Sequence, residues 1–104
     1  MSKAGDVIIT RVQFTDTDGS KVRPALLLFE EMGNVVIAGI TTNMQMKGIR
    51  ISVNEGAAQE SIIKLNYLFT ITNESIIKTV FHLSASKKKL VFEELTKRLE
   101  RLKV

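Results

Sequence analysis

Residues 7–12 read Val-Ile-Ile-Thr-Arg-Val, almost wholly β-branched, which predicts a first strand opening after Gly5-Asp6. The polar stretch at 15–21, Thr-Asp-Thr-Asp-Gly-Ser-Lys, is rich in turn residues and reads as a loop. Residues 24–29 form an unbroken apolar run, short enough for a core strand, with Pro24 at its start, where a missing N–H does least harm to a ladder. Glu31-Met32-Gly33-Asn34 then supplies turn chemistry. Gly33 can take positive φ, so residues 35–40 are expected to return as the hairpin partner.

After the polar segment 41–48, residues 49–53 alternate as a short strand, and 54–60 form a small-residue loop around Gly56. Residues 61–69 and 75–83 are rich in strand formers. The period then changes: from about Ser86 the apolar positions Val91, Phe92, Leu95, Leu99 and Leu102 follow helical spacing. Glu93–Lys97 and Glu94–Arg98 are i,i+4 pairs in the favourable order, and Ser84 or Ser86 suits the N-cap. Five or six short strands followed by one amphipathic helix predict a mainly β (α+β) fold, a small and strongly bent SH3-like barrel with a C-terminal α-helix packed on it. No repeat, linker or low-complexity segment interrupts the pattern, so residues 1–104 are expected to form a single domain.

Composition narrows the chemistry. There is no cysteine and only one histidine, His82, so disulfides, thiolate sites and a histidine-rich metal site drop out; no metal or other cofactor is expected. The first residues lack the apolar core of a signal peptide, and no stretch approaches the roughly 20 apolar residues of a membrane span, which points to a cytoplasmic protein with no membrane contact. The net charge of +4 suits a polyanion or an acidic protein partner. Location tempers this, because Lys87, Lys88, Lys89, Lys97, Arg98, Arg101 and Lys103 crowd the end of the chain, where a solvated helix face explains them equally well.

The remaining candidates are an arginine, a lysine, several carboxylates and a threonine pair, mostly at strand ends. That assortment suits a phosphodiester. Cleaving RNA requires a base for the 2′-OH proton, a cation for the crowded phosphorane and a proton for the departing 5′-oxygen, while the substrate carries its own nucleophile. The stretch from Asp16 through Arg23-Pro24-Ala25 to Leu28 resembles the first motif of the MazF/PemK/Kid toxins, a loop after strand one followed by Arg-Pro-Ala and an aliphatic strand. Gly5-Asp6-Val7-Ile8 resembles that family's opening, and Phe14-Thr15-Asp16 the approach to its loop. Residues 35–43 resemble the second motif, ending in Thr41-Thr42-Asn43, and 61–71 resemble a later strand. The ordered set spans nearly the whole chain.

The resemblance implies a toxin of a toxin–antitoxin pair, a metal-independent endoribonuclease that cuts single-stranded RNA by 2′-OH attack. It also implies a homodimer neutralised by an acidic antitoxin. By position it gives Arg23 to the transition-state phosphate, a role its permanent charge and forked donors suit. Thr41 would bind the scissile phosphate, and Asp18 falls near a family glutamate. Lys64 stands where some members have arginine, keeping the charge and losing the fork. Asn66 replaces a carboxylate proposed there as general base, which leaves Asp18, Asp16 or His82 for that task. Gln13, Asp16, Lys21, Thr42, Asn43, Gln45, Lys47 and Asn66 are the expected RNA contacts, with Phe14 and Tyr67 the aromatics considered for stacking. Met44 and Met46 either fold back over the barrel or form part of a dimer seam or antitoxin surface.

Three rivals remain. A gyrase poison of the CcdB type would need a C-terminal Trp-Gly-Ile that this chain lacks, and an SH3-like adaptor would need an aromatic groove that one tyrosine and five phenylalanines hardly build. A catalytically degenerate relative, binding RNA or a protein partner without cleavage, is the alternative that Asn66 leaves open.

Overall fold

A computed structural model describes residues 2–13 and 20–104, with Gln13 and Ser20 through their backbone. Six antiparallel strands, β1 (Asp6–Gln13), β2 (Ser20–Glu31), β3 (Asn34–Thr41), β4 (Ile49–Ile51), β5 (Ser61–Thr72) and β6 (Ile76–His82), precede one helix, α1 (Ala85–Leu99). They form a single bent sheet in the order β4-β5-β3-β2-β1-β6, a half-barrel of the expected SH3-like kind. No helix among the described residues is long and apolar enough to cross a membrane.

The apolar run in β2 is continuous because the sheet is buried on both faces. Successive strand residues point to opposite sides. Leu26 accordingly joins Val7, Ala38, Ile63 and Leu65 in one cluster, while Leu27 joins Ile8, Val35 and Ile37 in the other. The helix sits on the first cluster through Val91. Between β2 and β3 the chain reverses through Met32 and Gly33, both at positive φ (52° and 83°), the backbone of a type I′ turn.

Several boundaries differ from expectation for identifiable reasons. Pro24 is not at the start of its strand, because β2 begins at Ser20 and pairs with β1 from there to Leu26; β3 joins only at Ala25, so Pro24 lies where β2 has a single neighbour. Val53 leaves the strand for a short 3-10 turn. There the carboxylates of Glu55 and Glu60 accept the backbone N–H groups of Ser52 (2.8 Å) and Val53 (2.6 Å), replacing ladder partners. Ser84 is the N-cap, its hydroxyl accepting the Lys87 N–H at 3.2 Å. Lys97 turns to Glu94 (3.1 Å), which also takes Arg98, so the expected Glu93–Lys97 pair is not made.

The helix also departs from a simple packed element. Val91 is its one buried residue; Phe92 and Leu99 are 70% and 56% exposed, and Leu102 in the 3-10 turn that follows is 82% exposed. Its apolar stripe therefore reaches beyond the barrel it sits on. An open groove of about 260 Å³ runs between β2 and α1, lined by Leu28, Phe29, Phe92 and Leu95.

The ladder carries four irregularities. Leu28 is skipped between β2 and β3, and β6 skips both Val80 and Ile77 against β1. In β5 the break is larger: Ala38 faces Leu68 but Gly39 faces Lys64, so residues 65–67 loop out of the pairing.

Candidate active site

The pocket arises where the sheet splits. β2 and β3 pair as far as Ala25 opposite Gly39, and two residues beyond that point Arg23 and Thr41 would face each other. Instead β2 continues with β1, placing Arg23 opposite Thr10, while β3 continues with β5, placing Thr41 opposite Ile62. The strands diverge and leave a gap between them. Lys64 lies across Gly39 on the third strand, and Arg23, Ala25, Gly39 and Thr41 share one face by the two-residue alternation. With strands about 4.8 Å apart and a rise of about 3.3 Å per residue, the α-carbons of Arg23 and Lys64 lie roughly 12 Å apart. Two long cationic side chains span such a gap.

The resulting cavity, about 240 Å³, is lined by Arg23, Thr41, Lys64 and Tyr67 above a floor that includes Pro24, Gly39 and Ile40. No carboxylate or imidazole is among these described lining residues, so the charge they carry is of one sign. The Thr41 hydroxyl accepts the Asn43 N–H at 3.1 Å, which fixes its rotamer and leaves its own proton to donate. Lys64 rests over the Tyr67 ring, Nζ 4.6 Å from the centroid, a contact worth about 0.5–1 kcal/mol at an exposed site.

Three of the four residues expected to be catalytic, Arg23, Thr41 and Lys64, are thus brought together. The fourth, Asp18, lies outside the described residues, as do Asp16 and Phe14. The segment that carries them leaves from Gln13 and returns at Ser20, which pair with each other one step beyond the Val12–Lys21 pair, and Val12 lines the pocket. Lys21 is exposed on β2. Thr42, Asn43, Gln45 and Lys47 are exposed in the loop after β3 and do not line the cavity; the Asn43 carboxamide oxygen accepts the Gln45 N–H at 3.1 Å. Met44 is half-buried and Met46 39% exposed in the same loop. Asn66 is exposed in the β5 bulge, outside the lining.

His82 belongs elsewhere. It pairs with Asp6 at the far end of β1, four residues from Thr10 and so roughly 13 Å along the strand. Its Nδ1 lies 2.7 Å from Asp6 Oδ1 and its Nε2 2.9 Å from Lys88 Nζ. An ammonium has no acceptor, so Nε2 must accept from Lys88 and Nδ1 carries the proton given to Asp6. With both nitrogens engaged, His82 ties α1 to the barrel and is no candidate base. The trio also explains the Gly5-Asp6 opening: Gly5 has φ of 95°, and a β-carbon there would stand 2.6 Å from the Lys88 side chain. Nothing in the sequence pattern joined Asp6 and Lys88 to His82, because the three meet only through strand pairing and the helix turn.

Burial works against ionising Asp6, but the Lys3 N–H (2.8 Å), the hydrogen bond from His82 and the charge of Lys3 outweigh it, and the carboxyl is held below its usual value. Its stabilisation is then fully present above the ordinary carboxylate pKa near 4 and is lost as pH falls through the lower folded value. Asp6→Asn is expected to cost about 1–3 kcal/mol at pH 7. Urea midpoints of the two proteins should converge as the pH approaches 3 or below; an equal loss at both pH values would mean that the charge contributes nothing.

The protein-family model described as PemK-like, MazF-like toxin of type II toxin–antitoxin systems matches residues 3–99. Solved structures with the same fold include the Mycobacterium tuberculosis toxin MazF-mt6, 24% identical over 89% of this chain and 96% of that one, with a TM-score of 0.69. A MazE–MazF structure from Deinococcus radiodurans is 14% identical, covers 94% and 95% of the two chains, and gives a TM-score of 0.75. An endoribonuclease in complex with its cognate antitoxin from a mycobacterial species is 12% identical over 94% and 92%, with a TM-score of 0.70. Among curated proteins there is no significant sequence match. At these identities the structural likeness speaks for the fold.

Proposed function

The chain belongs to the PemK-like, MazF-like toxins of type II toxin–antitoxin systems, and from that premise we propose that it is an endoribonuclease cleaving single-stranded RNA at the pocket between β2 and β3. The observation that carries the reading is the convergence of Arg23, Thr41 and Lys64 on one open cavity without a carboxylate among its described lining residues. Such a site attracts a polyanion and repays charge that builds on a phosphorane.

In the proposed reaction Arg23 grips two non-bridging oxygens with its fork and Thr41 donates to the same phosphate. Asp18, or Asp16 beside it, takes the 2′-OH proton. The 2′-oxygen bonds to phosphorus, the bond to the 5′-oxygen breaks, and that oxygen takes a proton from the Lys64 ammonium. The products are a 2′,3′-cyclic phosphate and a 5′-hydroxyl. Because the substrate supplies the nucleophile, no metal-activated water is needed, and Arg23 and Lys64 supply the positive charge. The direct test is incubation of the purified protein with a long RNA in EDTA, followed by mapping of the ends. Cyclic phosphates at a recurring short sequence are the expected result; RNA bound but left whole would favour the degenerate relative, for which Asn66 in place of a carboxylate speaks.

The relatives solved with an antitoxin support a protein partner here too, and the +4 charge suits an acidic one. The exposed Phe92 and the groove between β2 and α1 support a homodimer, since apolar surface of this kind marks an interface. Phe92→Asp costs the monomer little because the side chain is 70% exposed. Sedimentation equilibrium should show the dimer weakened at least about tenfold, and an unchanged dimer would place the seam elsewhere.

A further inference from the structure

Tyr67 lines the pocket and has no part in the steps just described. It is the only tyrosine of the chain, which also lacks tryptophan. Its position depends on the β5 bulge, where Leu65 is buried at 3% exposure while Tyr67 is turned out at 44%. Phe69 meets its ring edge-on, with centroids 5.3 Å apart and planes at 80°. On another side the ring leans over Gly39, where a β-carbon would sit 3.5 Å from it. A flat aromatic group is thereby fixed at the mouth of a cationic pocket with much of its surface open. Folding alone gains little from this, since the same ring turned inward would bury more apolar area.

The geometry points to Tyr67 as the stacking platform for a nucleobase adjoining the phosphate held by Arg23 and Lys64. Lys64 acts as its latch. In the free protein the ammonium covers the ring at 4.6 Å; a phosphate oxygen is the stronger partner, so RNA draws the ammonium away and uncovers the face for the base. Stacking accepts any base, so this contact supplies affinity and places the strand, while base choice rests with other residues. The inference rests on the ribonuclease reading of the same pocket and names the part of the substrate that the cations do not hold.

Because Tyr67 is the sole tyrosine, intrinsic tyrosine emission reports on this residue alone. The test titrates the protein with a short single-stranded 2′-fluoro RNA, which lacks the nucleophile, following an end label by anisotropy and tyrosine emission in parallel. Emission should be quenched in step with binding, whereas an abasic sugar–phosphate chain of equal length should bind without quenching. Tyr67→Leu should weaken binding of the base-bearing strand about tenfold and Tyr67→Phe less than about threefold, with abasic binding weakened by neither. Binding with unaltered emission and undiminished affinity in Tyr67→Leu overturns the stacking role and leaves the ribonuclease reading standing. Failure of the wild-type protein to bind RNA at all overturns both.

Discussion

Arg23→Ala is expected to lose at least about 10³-fold in the rate of single-stranded RNA cleavage while keeping its fold. Removing one donor from a preorganised oxyanion site commonly costs 10²–10³, and an arginine on a transferring phosphoryl group more, because charge and geometry go together. The guanidinium occupies a wall that the β2–β3 split creates, and no other arginine lines that cavity among the described residues. Arg23→Lys should recover part of the loss, retaining the charge without the fork. Its backbone is held by pairing with Thr10 and its side chain is exposed, so stability should fall by no more than about 1 kcal/mol, the upper range for an exposed polar contact. Initial rates beside a thermal melt separate the two effects. Cleavage within threefold of wild type would remove Arg23 from the phosphate.

The second large effect is assigned to the base. Asp18→Asn should slow cleavage about 10²-fold or more, the usual share of a positioned proton acceptor, and should remove the acidic limb of the pH–rate profile. The pocket offers no carboxylate among its described lining residues, and His82 is committed to Asp6 and Lys88, which is why the proposed base is sought on the segment between Gln13 and Ser20. Asp16→Asn is the matched control. Asn66→Asp gives the reciprocal experiment, because it returns a carboxylate to the bulge beside Lys64; in an Asp18→Asn background it should restore activity. If Asp18→Asn and Asp16→Asn both cleave at the wild-type rate with the acidic limb intact, neither is the base. If only Asn66→Asp cleaves RNA, the natural chain is a binder.

The strands were legible because their apolar runs are short and bounded by turns, and the helix because its period changes. Their limits were not. β2 extends back through the exposed Lys21, Val22 and Arg23, a half that pairs on one side only and carries no apolar signature. For the site, the order of motifs singled out Arg23, Thr41 and Lys64. Their convergence depends on where two strands part, and neither β2 nor β3 records that locally. Tyr67 was harder still, since its outward turn comes from a three-residue bulge in a stretch that reads as an unbroken strand. Phe92 and Leu99 misled in the opposite way: helical spacing identifies an apolar face without saying whether the same chain covers it.

One consequence attaches to β6, the last strand of the sheet. Its outer edge would ordinarily template another strand, inviting aggregation or capture by any extended peptide. The unpaired residues Ile77 and Val80 break the seven-residue strand into runs too short for a regular ladder. The sheet therefore presents an edge that does not recruit strands indiscriminately. A protein partner meeting this edge gains little by backbone pairing and must instead be recognised by its side chains, so a contact there can distinguish one partner from any extended polypeptide.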